Sequence, residues 1–110
     1  MPGSPRKDYL EQQIEGVAKL LAHVLGLRDA GRTDEARTEL ERGARSLLGV
    51  GMGPLGRVDV ATAVGLLRSK GGAEAYALLL EGEAGLTGDE ALQERARRVR
   101  ALASSGDASS

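Results

Sequence analysis

Leu10, Ile14, Val17, Leu21 and Val24 recur at intervals of three and four residues, the spacing of one face of an α-helix. Ser4 and Pro5 suit the start of that helix: Ser caps free backbone N–H groups, and the missing N–H of Pro costs nothing in a first turn. Glu15 precedes Lys19 by four residues on the solvated side, the favourable order for an ion pair. The helix is expected to stop near Gly31. A second helix, capped by Thr33, buries Ala36, Leu40, Ala44, Leu47 and Leu48. GMGPLG, residues 51–56, then ends it as a turn. A short third helix fits 58–69 with Val60, Val64 and Leu67 inward, and KGG at 70–72 reads as its glycine stop. A fourth helix over 73–85 runs through Tyr76, Leu79 and Leu80. Thr87 and Glu90 form a capping box for a fifth, which buries Leu92, Ala96, Val99 and Ala103. The pattern predicts an all-α fold of about five helices. Two helical hairpins are joined by a Gly-rich loop and a short helix, in one domain over residues 1–104, with a disordered polar tail at 105–110.

Composition strengthens the all-helical reading. Leu and Ala abound, Ile occurs once, and Phe and Trp are absent, whereas strands favour β-branched and aromatic residues. A length of 110 residues suits one hydrophobic core. The net charge of −1 gives no reason to expect a polyanionic partner or an anionic membrane. No apolar run approaches the roughly 18 residues of a spanning helix. The start, MPGSPRKD, has no apolar signal region, and cysteine is absent. A cytoplasmic location is the expectation.

GMGPLG matches the G-x-G-x-x-G dinucleotide fingerprint letter for letter. That fingerprint works only between a strand and a helix of a parallel sheet, where its glycines let a pyrophosphate approach the backbone. Here a helix leads in, no strand is predicted, and Pro54 interrupts the motif. The expectation is a turn, with no nucleotide and no other cofactor.

Aligning residues 18–47 with 73–102 brings the two hairpins into register. Asp34-Glu35-Ala36 falls on Asp89-Glu90-Ala91, and Arg42, Arg45 and Leu47 fall on Arg97, Arg100 and Leu102. LGLRDAGRTDEARTELERGARSLL resembles a tetratricopeptide-type hairpin, with DEA opening the return helix and Ala36 where the family places a small residue at the helix crossing. EGEAGLTGDEALQERARRVRALA resembles the same unit, with Ala91 in that role. The family's bulky aromatic in the first helix is missing, and an extra loop and helix separate the hairpins. The chain as a whole also resembles small bacterial helical domains. The resemblance implies a helical scaffold that binds other proteins and names no ligand.

Catalytic chemistry has little to work with. His23 is the only histidine, and it lies toward the polar side of helix one. Without Cys, a metal site would need carboxylates plus that one His, and no such spacing occurs. Ser69 has only Lys70 beside it and no base in reach. The expectation is neither an enzyme nor a metalloprotein. RARRVR at 95–100 lacks the aromatics of a single-strand binder, and its arginines spread around the helix, so nucleic acid is not expected. Arg95 falls on the apolar arc. It either snorkels, with its head in water, or clamps a partner's carboxylate.

Helix one is apolar over about half its circumference, beyond the roughly 100° stripe of a surface helix. Either it is the central element of the domain, or one flank stays open to a partner. In the second case Leu20, His23 and Leu27 mark the partner surface, with Arg95 as a further candidate. The function expected is a non-catalytic protein–protein interaction module, an adaptor binding another protein or peptide in a groove between the hairpins. The alternative is a homo-oligomer, such as a homodimer, with helix one at a self-interface.

Overall fold

The computed structural model describes the backbone of residues 5–67 and 70–108 and the side chains of residues 11–67 and 71–104. Its helices are α1 (Pro5–Asp29), α2 (Thr33–Leu48), α3 (Met52–Gly56), α4 (Val60–Leu67), α5 (Lys70–Thr87) and α6 (Glu90–Ala108). Among the described residues there is no strand. The all-α expectation holds, with six helices in place of about five.

The extra helix comes from GMGPLG, which forms a single helical turn where a plain loop was expected. Two glycine signals also resolve differently. KGG opens α5, where a helix stop was expected, and Gly71 and Gly72 are buried. At α2 the N-cap is Arg32, with no side-chain cap, and Thr33 is already helical. Thr87 closes α5, and its hydroxyl donates to Glu83 C=O at 3.2 Å. The cap of α6 is Asp89, whose carboxylate accepts the Ala91 N–H at 2.9 Å. Beyond 104, α6 continues to Ala108 where a disordered tail was expected. Ser4, Ser69 and the side chains of Tyr9, Leu10 and Lys70 lie outside the described residues.

α1 and α2 form one hairpin, α5 and α6 the other. Both turn through a glycine in the left-handed region, Gly31 at φ 79° and Gly88 at φ 75°. The central element is α5, not helix one. It packs on α1, α2, α4 and α6, and Ala75, Tyr76, Ala77, Leu79 and Leu80 are buried around almost its whole circumference. A helix that is apolar all round belongs in a core, and each fully buried leucine there contributes roughly 2 kcal/mol.

The wide arc of α1 has a different cause: it serves two neighbours. Leu20 sits over Gly43 of α2, and Leu21 over Gly82 of α5, so closely that a Cβ on either glycine would collide with the leucine. In return Leu47 of α2 sits over Gly16, where an added Cβ would lie 2.9 Å from it. The centre of the arc is therefore Val17 and Val24, both fully buried, between the two rows of leucines.

The aligned hairpins differ in register. Ala36 is buried, but Ala91 is exposed, so Ala91 does not occupy a helix crossing. One residue of slip puts Leu92 and Ala96 in the places of Ala36 and Leu40.

Candidate functional site

The residues proposed for a partner surface do not share one. Leu27 is buried in the core and Leu20 is half-buried against α2, while His23 is exposed. Arg95 turns inward, neither snorkelling nor offering its fork to solvent. Its Nε donates to Tyr76 Oη at 2.9 Å, and Nη2 donates to the carbonyls of Leu55 and Val58, both at 2.7 Å. The guanidinium also lies 5.9 Å from the Tyr76 ring centroid. These bonds tie the end of α3 and the link to α4 against α5 and α6. Asp59 begins that next helix: bonds from the Thr62 hydroxyl and backbone N–H, helped by the Arg95 charge, hold its carboxyl below the usual range. Arg100 pairs through two nitrogens with Glu81 of α5, whereas Arg97 is exposed and meets Glu94 at 2.9 Å.

The uncovered flank of α1 is the opposite one. Ile14 and Leu25 are half-buried and Ala18 exposed. With Glu11 and Glu15, Ile14 and Ala18 line an open hollow of about 420 Å³. Beside them α5 has an incompletely covered strip of Glu74, Leu78, Glu81 and Gly85, at the spacing of a single helix face. Two arginines locate this strip between α1 and α6. Arg28 at the end of α1 donates to Gly85 C=O at 3.2 Å, and Arg100 of α6 reaches Glu81. The strip is apolar on the α1 side and charged on the α6 side, and its floor is α5.

A second concave region joins α2, α3 and α5. The Glu41 carboxylate accepts the N–H groups of Met52 at 3.0 Å and Gly53 at 3.3 Å, and a Cβ at Gly51 would overlap Glu41 Oε1. The backbone donors of GMGPLG are thus engaged by the chain's own carboxylate, whose charge opposes a phosphate in the same place. Arg37, Leu40, Glu41, Met52 and Glu83 line a cleft of about 340 Å³. Burial pushes the Glu83 carboxyl above the usual range, the Glu41 charge adds to the rise, Arg37 opposes it and Asp89 adds a little.

Elsewhere, Leu66 of α4 and Leu102 of α6 are 55% and 40% exposed, the large apolar residues most open to solvent among those described. Among the described residues no group of three or more His, Cys, Asp or Glu could hold a metal ion, and no helix is long and apolar enough to cross a membrane.

One signal for these contacts was present in the sequence. Gly16, Gly43 and Gly82 interrupt otherwise helical patterns, and an isolated helical glycine often marks close packing. Nothing local to Glu41 or Glu83 announces their meeting, because they come from different hairpins. No family model, curated protein or solved structure matches this chain.

Proposed function

We propose that this chain is a non-catalytic helical interaction module, an adaptor of a bacterial cytoplasm, which takes a helix or peptide of another protein along the strip between α1 and α6. The observation that carries the reading is the apolar flank of Ile14, Ala18 and Leu25 beside Leu78, which the chain's own helices leave partly open. A partner helix with its own apolar face covers such a strip, and the Arg100–Glu81 pair at its edge supplies polar orientation. The sequence resemblance to tetratricopeptide hairpins supports the reading, as does the lack of cysteine, which suits a reducing compartment.

Ala18→Glu tests the reading, because an exposed position accepts charge without unfolding the monomer. Circular dichroism and sedimentation should match the parent, while partner capture from the native cell weakens about tenfold or more, as for a charge set into an apolar contact. Equal capture by parent and variant removes the strip from consideration.

A second reading, a homo-oligomer, draws on the exposed Leu66 and Leu102 rather than on helix one. It requires the parent to sediment as a dimer that Leu66→Glu dissolves.

A further inference from the structure

α4, VATAVGLL, is apolar but for one threonine, yet Ala63 is the one buried residue in it. Val60, Val64 and Leu67 are half-buried against the core, and the opposite face of Ala61, Thr62, Gly65 and Leu66 is exposed. A peripheral helix ordinarily turns charge outward. α1 does so with Glu15 and Lys19, α2 with Arg42 and Arg45, and α6 with Arg97 and Arg98. Even the half-open strip of α5 carries Glu74 and Glu81. From Val60 to Leu67 there is no charge. Leu66, 55% exposed, is the large apolar side chain most open to solvent among the described residues. The next, Leu102, belongs to α6, on which α4 packs.

The absence of charge selects the occupant. In a twofold contact each side chain lies near its own copy, so a charge on the face meets its like. Of the helices longer than two turns, only α4 offers a face free of that repulsion. A partner recognised by charge would find nothing here to pair with. The relief agrees. Side chains four apart form a ridge that packs into the furrow of a second helix. Thr62 and Leu66 make such a ridge; beside it Ala61 and Gly65 make a furrow, where a Cβ on Gly65 would meet nothing within 4 Å. The chain closes its own α1–α2 hairpin in this manner, each helix giving one leucine and one glycine. α4 holds one of each on its exposed face.

We propose that two copies of this chain associate through α4 about a twofold axis, with Leu66 of each lying on Ala61 and Gly65 of the partner subunit. The proposal rests on the homo-oligomeric reading above and gives it a face. Eight residues of helix span about 12 Å. The contact therefore belongs among interfaces of less than about 1,200 Å² in total, which are weak and reversible, with a dissociation constant on the order of 100 µM. The strip between α1 and α6 stays free. On α6, Arg95 reaches the α3–α4 link and Arg100 the strip, and the five residues between them turn a helix by about 140°. The dimer thus carries two strips, and a partner with two such helices gains avidity.

The test is sedimentation equilibrium of the intact protein from about 10 µM to about 1 mM, a range that brackets such a constant. The expected result is a weight-average mass that climbs from 11.5 kDa toward twice that value. Leu66→Glu, at an exposed position, should weaken association about tenfold or more with circular dichroism unchanged. Ala18→Glu should follow the parent. Dilution of the parent, followed by NMR, needs no variant: the amides of Ala61, Thr62, Gly65 and Leu66 should shift with concentration. A mass of 11.5 kDa at every concentration overturns the proposal together with the homo-oligomeric reading, and leaves the adaptor untouched. Association that Leu66→Glu leaves unchanged, or whose shifts fall on Ile14, Ala18 and Leu78, overturns the proposal alone.

Discussion

The α1–α2 hairpin is closed by leucines seated on glycines, whereas the α5–α6 hairpin is held in addition by arginines reaching across it. In the first, Leu20 meets Gly43 and Leu47 meets Gly16. The contact is reciprocal and apolar, with one hydrogen bond beside it, from Gln13 Nε2 to Leu47 C=O. In the second, Ala96 and Val99 supply the apolar seam, Arg100 pairs with Glu81, and Arg95 bonds to Tyr76 and to the α3–α4 link. Two hairpins with similar lettering thus resist different insults: crowding should break one, and loss of a donor or added salt the other.

The largest effect is expected at the shape-dependent contact. Gly43→Val sets a branched side chain where even a Cβ would meet Leu20, and overpacking of this kind costs about 3 kcal/mol. For a domain of this size that lowers Tm by roughly 15 °C, with little dependence on salt. Thermal unfolding at low and high ionic strength measures both. A Tm unchanged by Gly43→Val would mean that α1 and α2 are not closely seated.

The second hairpin is probed by Arg95→Met, which keeps the apolar stem and deletes the guanidinium. Two carbonyls and the Tyr76 hydroxyl lose their donor, at about 2 kcal/mol once water has satisfied part of the loss. Denaturant melts should show the loss, and amide exchange should quicken around Leu55 and Val58. Uniform exchange across the chain would show that Arg95 does not fasten the α3–α4 link.

The smallest effect belongs to the seam between hairpins, where Glu83 of α5 faces Glu41 and Arg37 of α2, with Asp89 nearby. Its carboxyl is raised above the ordinary 4.5, so the folded chain binds this proton more tightly than the unfolded one. Stability from this group is therefore full below pH 4.5 and is lost as pH rises through the raised value. Glu83→Gln should be slightly more stable than the parent at neutral pH and should flatten the melting temperature across the window just above 4.5. A variant with the parent's pH profile would show that the Glu83 carboxyl is not held in a desolvated cleft beside Glu41.

Much of the fold was legible before any coordinates. Ala36, Leu40 and Ala44 were read as the buried side of their helix, as were Ala96 and Val99 of theirs, because burial follows the helical period within one element. The Glu15–Lys19 pair, 3.4 Å apart and exposed, is local in the same way. The candidate site was far less legible. Leu27 was assigned to an open surface and is buried, because a wheel gives the width of an apolar arc and not the number of neighbours that cover it. Arg95 met the same limit: its helical position was right, but its partners Leu55 and Val58 lie about 40 residues earlier in the chain.

By itself, then, the sequence determined the helical class, the faces that seek burial and the turn at Gly31, since propensity, period and left-handed backbone are properties of short segments. Only the tertiary structure decided that α5 is the centre, that GMGPLG winds into a turn under Glu41, that the open flank of α1 is Ile14 and Ala18, and that Gln13 keeps an unpaired oxygen. Each of these depends on which two distant surfaces meet. That choice rests on the shape of glycine hollows and the reach of single side chains, terms of one or two kcal/mol that no local pattern encodes.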